Sequence, residues 1–348
     1  MKRLYRFLHP RFQSLFLEYK VAFQPRYGHG KPAHDLLYQH INARRGAYSA
    51  LLEQVMEYQS QIQAIRPLDQ EKDVSQPGWN NGFLPGLDIS MLYAFLPIFQ
   101  PKKYVEIGSG NSTKVARRAI RDNGLSTQII SIDPMPRAEI DHLADQVIRA
   151  PFEQTNFDFL FDLEPNDILF VDNSHRILPN SDAMVFFMEV LPKLKPGVIV
   201  HIHDIYLPYD YPQFMCDRFY SEQYGLAAFI LANPSRFATL MPNYFVDQDA
   251  ELRKILTPLW QHPNLQGVEQ HGGSFWLQIS EKWKVKSEKN TLIPQTRIFM
   301  QKITQSSWKA FRCTCYSLFT FHYSLFTIFA PKFINQPLQS CLNRVYWP

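Results

Sequence analysis

The stretch Val105-Glu106-Ile107-Gly108-Ser109-Gly110-Asn111-Ser112-Thr113 decides what kind of sheet this chain can build. An apolar, β-branched run enters a turn with two glycines. Ser112 and Thr113 then supply side chains of the type that start helices. Gly108 and Gly110 let the backbone come close to a ligand, and the N–H groups of a helix start can hold it. Strand, glycine turn and helix in that order make a nucleotide-binding device of open parallel sheets. Two details narrow the ligand. Thr113 stands where the dinucleotide fingerprint has its third glycine, and Glu106 puts a negative charge where a pyrophosphate would lie. An acidic strand end suits a cation instead.

On both sides of this turn the sequence alternates between short β-rich runs and helical stretches. Residues 104–107, 128–132, 146–148, 167–171 and 197–202 read as strands, with helices over 112–123 and 181–194 and a further strand at 274–279. This predicts an α/β fold: a Rossmann-like, mostly parallel sheet of about seven strands with right-handed crossovers. The second strand ends at Asp133, 23 residues beyond Gly110, where one carboxylate can accept both hydroxyls of a ribose.

These residues resemble the class I S-adenosylmethionine-dependent methyltransferases over roughly residues 80–280. Glu106-x-Gly108-x-Gly110 is similar to their first motif, Asp133 to their second-strand acid and residues 167–172 to their fourth strand. Longer runs (Gly-Asn-Ser-Thr, Ser-Ile-Asp-Pro, Val-Asp-Asn-Ser-His, His-Ile-His-Asp-Ile) are similar to an uncharacterised bacterial group of methyltransferase-like proteins. The resemblance implies S-adenosylmethionine as cofactor, whose sulfonium and α-amino group suit an acidic strand end. It implies a binding set of Glu106, Gly108, Ser109, Gly110, Asn111, Ser112, Asp133 and Asp172, with Glu153 near the adenine. Relatives often carry a lid upstream, where this chain has Trp79-Asn80-Asn81.

The fourth strand runs into Asp172-Asn173-Ser174-His175 and the fifth into His203-Asp204. Ligands of open α/β sheets sit beyond the carboxyl ends of the strands, so Asp172, His175, His203 and Asp204 are expected to converge. Two chemistries fit. In one, Asp172 and Asp204 bind Mg²⁺ through oxygen, as in catechol-type O-methyltransferases, and His175 takes a proton from the acceptor hydroxyl. That likeness departs at Ile205, which replaces an asparagine ligand, and at His175, which replaces a lysine. In the other, His175 or His203 alone is the base, Asp172 orients it, and the rate falls in acid as a group of pKa ~6.5 is protonated. The 206–212 segment, rich in tyrosine, is expected to wall the acceptor pocket.

Charge divides the chain in three. Residues 1–45 hold nine basic and two acidic side chains, residues 46–280 hold 17 and 28, and residues 281–348 hold ten and two. The acidic middle argues against nucleic acid, while the basic ends can touch an anionic surface. The expected organisation is an arm, helices and lid over 1–90, the catalytic domain over 91–280 and a basic aromatic extension over 281–348. One or two helices are expected over 34–65 and a short one over 88–99. Residues 313–331 carry no charge but are too polar for a good membrane span, and a weak membrane-surface contact is expected of this tail. Four cysteines, three of them in the last 36 residues and none in a scaffold or zinc spacing, and no signal-peptide run predict a reducing, cytoplasmic setting. The expectation is methyl transfer to a hydroxyl of a small molecule or sugar. The alternatives are a nicotinamide-dependent oxidoreductase, an iron site on His201, His203 and Asp204, and an inactive binding module with this fold.

Overall fold

Tyr104, Val105 and Ile107 lie buried at the centre of a sheet, as strands covered on both faces must. The computed structural model describes residues 5, 7–9, 13–136 and 139–280. The chain divides into two compact units, Met1–Trp283 and Lys284–Pro348. The second lies outside the described residues, and so do the charge-free run 313–331 and the contact expected of the tail.

Helices α1 (Asp35–Asn42), α2 (Arg45–Met56) and α3 (Gln59–Gln63) fill the 34–65 stretch. A two-residue parallel pair, β1 (Arg66–Pro67) and β2 (Gly78–Trp79), leads to α4 (Gly86–Phe99). The sheet proper starts with β3 (Lys103–Ile107), α5 (Asn111–Asp122), β4 (Gln128–Ile132), β5 (Gln146–Ile148) and β6 (Ile168–Val171). After α6 (Asp182–Val185) come β7 (Ile199–Ile202), α7 (Glu222–Ala232), β8 (Phe237–Pro242), α8 (Asn243–Gln248) and β9 (Phe275–Ile279). The sheet order is β5-β4-β3-β6-β7-β9-β8, parallel as far as β7 and antiparallel at β7–β9 and β9–β8. Strand order reverses between β3 and β6, so the crevice of this α/β sheet opens beyond their carboxyl ends. Among the described residues, no helix is long and apolar enough to cross a membrane.

Register carries the site. Ile107 pairs with Val171 and Val171 with Ile202, so the next residue of each strand, Gly108, Asp172 and His203, stand side by side. On the far side Ile202 pairs with Phe275, which brings Gly273 and Ser274 to the same rim. The start of α4 is clamped there, because the Gly86 N–H donates to the Glu269 carbonyl and the Leu87 N–H to that of His271.

Two elements differ from expectation. The helix expected over 181–194 is broken into α6, a π-turn at Phe186–Val190 and a 3₁₀ turn at Leu191–Lys193. Pro192 has no N–H and its ring crowds the carbonyl four residues back, so the ladder loosens ahead of it. Strand β8 was not foreseen. It lies at the sheet edge, carries a register shift between Thr239 and Met241, and ends in Pro242, features that dilute a strand signature.

Candidate functional site

The β3/β6 reversal opens a crevice of about 310 Å³, lined by Gly108, Ser109, Asp133, Phe152, Glu153 and Asp172 among others. Gly108 has φ +83°, and a Cβ there would lie 1.9 Å from the Asp172 carbonyl oxygen, so only glycine fits. Asp133 is held from the turn: its Oδ2 accepts the Ser109 N–H at 2.9 Å and its Oδ1 the Met135 N–H at 2.7 Å. Each carboxylate oxygen has capacity for a further donor, which suits it to a ribose diol.

Glu106, Gly110, Asn111 and Ser112 do not line this crevice. Glu106 is fully buried, accepting the Tyr104 hydroxyl at 2.9 Å and the Thr113 hydroxyl at 2.5 Å, while Thr113 accepts the Gly110 N–H. Burial pushes its carboxyl up to about 7 despite bonds from Thr113, Ser112 and Tyr104. It pins the first turn of α5 from below, and the charge it was expected to present to the ligand is turned away from the crevice. Its native state keeps a proton that the unfolded chain releases above pH ~4.5, so this group's contribution to stability is lost as pH rises from there to about 7. Glu106→Gln keeps the neutral form, and urea unfolding should show it gaining on the wild type by roughly 1–3 kcal/mol between pH 5 and pH 8. A gap that does not change with pH would refute this account.

Beyond the crevice lies a larger cavity of about 830 Å³, lined by Asn80, Tyr206, Phe214, Tyr220 and Tyr244 and floored by the expected cluster. Asp172 lines both spaces. Of the expected wall segment, Tyr206 and Pro212 reach the cavity, while Tyr211 is buried in packing. Of the expected lid segment, Asn80 lines the cavity, while Trp79 is buried, with its N–H donating to the Ile65 carbonyl at 2.8 Å.

The four predicted reactive residues do meet. His175 Nε2 lies 3.3 Å from Asp172 Oδ1 and 3.5 Å from Asp204 Oδ2. His203 Nδ1 lies 3.7 and 3.6 Å from the same two carboxylates, and neither ring nitrogen completes a hydrogen bond. His175 and Asp204 sit at φ +60° and +58°, a left-handed backbone that a non-glycine residue adopts under strain of ~1–3 kcal/mol. Two carboxylates invisible to the sequence reading complete the cluster. Glu222 Oε1 is 2.5 Å from His175 Nδ1, and Asp88 Oδ2 is 3.3 Å from His203 Nε2. Asp88 also accepts the N–H groups of Gly273 and Ser274 and the Asn243 amide. The available signal was a lone acid in an apolar helix, at 88 in α4 and at 222 in α7. In such places a carboxylate needs a buried partner.

These acids reverse the expected histidine chemistry. Burial alone would lower His175, but Glu222, Asp204 and Asp172 raise it to about 9. Burial likewise opposes the charge on His203, yet Asp204, Asp172 and Asp88 hold it well above the ordinary range. Both imidazoles are therefore protonated at neutral pH, and the acid limb expected near 6.5 moves upward. The expected pair of metal acids, Asp172 and Asp204, faces these imidazoles. Among the described residues no three His, Cys, Asp or Glu side chains are arranged to hold a metal ion. His201 does not join an iron site: it is buried, stacked on Trp276 at 3.7 Å and bonded to the Ser274 hydroxyl.

Residues 105–205 match the family model of a methyltransferase domain. No curated protein matches the chain. Among solved structures, the S-adenosylhomocysteine-bound Podospora anserina methyltransferase PaMTH1 is 15% identical, with 73% of this chain and 100% of that chain covered, at a TM-score of 0.36. The plantazolicin methyltransferase BpumL, in complex with a desmethyl substrate analogue and S-adenosylhomocysteine, is 13% identical over 71% and 98%, at 0.38. A candidate methyltransferase of Thermobifida fusca is 15% identical over 62% and 96%, at 0.35.

Proposed function

We infer that this chain, whose residues 105–205 match a methyltransferase-domain model, is a class I S-adenosylmethionine-dependent enzyme that methylates a hydroxyl of a small molecule or sugar held in the larger cavity. The observation that carries this reading is the shared wall at Asp172, where the crevice and the cavity meet. The residues present fit the donor. Gly108, where a Cβ would strike the Asp172 carbonyl, keeps the turn against β6 at the crevice, Asp133 would offer its carboxylate to ribose hydroxyls, and Phe152 and Glu153 on the crevice wall would flank the adenine. When bound, S-adenosylmethionine supplies a methyl on an electron-poor sulfur, so the chain's task is alignment and proton removal.

His175 is the base of this reading. Glu222 fixes its Nδ1–H and leaves Nε2 directed to Asp172 and Asp204, where an acceptor hydroxyl gives up its proton. The imidazolium so formed is held by three carboxylates. Because the resting ring is already protonated, the rate should climb with pH toward about 9. Titration calorimetry with S-adenosylhomocysteine, against NAD as control, tests the cofactor. Asp133→Ala should weaken binding by tenfold or more, as two hydrogen bonds to a carboxylate, worth ~1.5–3 kcal/mol each, are lost. Undiminished affinity in a folded variant would remove Asp133 from the site.

A metal-assisted version stands as second reading on one observation, the unbonded Nδ1 of His203 facing Asp172 and Asp204. A hard divalent ion such as Mg²⁺ would take one or two carboxylates there and fill its shell with water and acceptor oxygen. Chelator should then abolish turnover, leave S-adenosylhomocysteine binding intact and be reversed by Mg²⁺. Indifference to chelator leaves the His175–Glu222 pair as sole base. The nicotinamide reading is not favoured, given the family match and the burial of Thr113 against Glu106.

A further inference from the structure

Among the described residues, nine of the twenty large apolar side chains left exposed fall within residues 5–23, with Phe16 80% and Tyr19 73% exposed. This arm is not loose along its whole length. The Arg26 N–H donates to Asp210 at 2.9 Å, the Gln213 amide to the Phe23 carbonyl at 2.7 Å, and the His34 N–H to the Pro208 carbonyl at 3.0 Å. The Phe23 ring packs edge-on against Phe219 at 4.6 Å. Phe219 belongs to the 213–220 turn, whose Phe214, Met215, Arg218 and Tyr220 line the acceptor cavity. Phe214 is 57% and Phe219 44% exposed, so apolar side chains stand exposed both on the arm and on the turn that lines the cavity, joined at the Phe23–Phe219 contact. The arm and the turn are basic, with Lys20, Arg26 and Lys31 on the arm and Arg176 and Arg218 over Tyr220 against Glu18 and Asp217, while Asp247 and Glu269 lie elsewhere in the cavity lining.

We propose that this arm and rim form a docking surface for an anionic lipid bilayer, with the mouth of the larger cavity turned toward it. Exposed aromatic and aliphatic side chains interleaved with Lys and Arg are the composition that seats a protein in a headgroup region, where the rings enter the interface and the cations meet lipid phosphate. A second copy suits the surface less well. A two-fold contact sets the same patch against itself and would bring these cations face to face. Naming the cavity as the acceptor's rests on the methyl-transfer reading, whereas lipid binding is measured without turnover and stands or falls alone.

The full-length chain is sedimented with vesicles of phosphatidylcholine and with vesicles that also contain phosphatidylglycerol. Partition to the anionic vesicles should be stronger on the order of tenfold and should weaken as salt rises. A triple variant, Phe16→Ser, Tyr19→Ser and Phe219→Ser, should lose most of that binding while its affinity for S-adenosylhomocysteine, the check on its folding, stays unchanged. No preference of the wild type for anionic vesicles overturns the proposal. So does equal binding by the triple variant, which would move the contact to another part of the chain. A wild-type dimer that the triple variant converts to monomer in analytical ultracentrifugation would give the surface to a second copy instead.

Discussion

Gly108→Ala should cost the protein its cofactor crevice. The added methyl would sit 1.9 Å from a backbone oxygen, and backbone at the centre of a sheet cannot yield as a side-chain tip would. The φ of +83° adds strain on the order of 1–3 kcal/mol. Either β3 or the end of β6 must shift, and with it Asp172. The expected result is loss of S-adenosylhomocysteine affinity of tenfold or more and a Tm lower by several degrees. Gly110→Ala is the control, because a Cβ there meets nothing within 4 Å. Its binding should stay near wild type. Equal loss in both variants would mean that the whole turn, and not the contact with Asp172, governs the site.

The second large effect belongs to the His175–Glu222 pair at the floor of the larger cavity. His175→Ala should lower methyl transfer by ~10²–10⁴-fold, read as release of S-adenosylhomocysteine with a hydroxylated acceptor that the wild type turns over. Glu222→Gln tests the cause. Burial works against protonation of His175 and Glu222 is the leading group that opposes it, so the amide should let the imidazole pKa fall from about 9. The rising limb of the pH profile must then move to lower pH, although the maximal rate drops because the ring is less firmly held. A purely structural role for Glu222 would reduce the rate without moving the limb. A limb that moves upward would contradict the electrostatics outright.

How much of this was legible beforehand depends on the range of the interaction. The strands announce themselves because β-branched and aromatic runs of four to five residues are buried on both faces, and Gly108 and Asp133 punctuate them locally. Convergence of Asp172, His175, His203 and Asp204 follows from strand ends lying on one rim. Asp88 and Glu222 were out of reach. Each is a single acid in an apolar helix, and its partner is fixed only when α4 and α7 close onto the sheet. The error about Glu106 has the same root. Sequence gives its spacing from Gly108, but the side of the turn to which its carboxylate points is decided by Tyr104 and Thr113. The histidine pKa was misjudged for want of those acids, since burial alone would have sent it the opposite way.

Asp88 has a consequence for anyone wishing to trim the protein. A fragment beginning at residue 91 would keep every glycine and acid of the nucleotide turn, yet it would lack the first turn of α4. Without Asp88, the N–H groups of Gly273 and Ser274 and the Asn243 amide lose their acceptor, and His203 loses one of its counter-charges. Unmet donors of this kind cost ~1–3 kcal/mol each when buried. The cut would fall through the floor of the active site, and a minimal catalytic fragment has to begin upstream of Gly86.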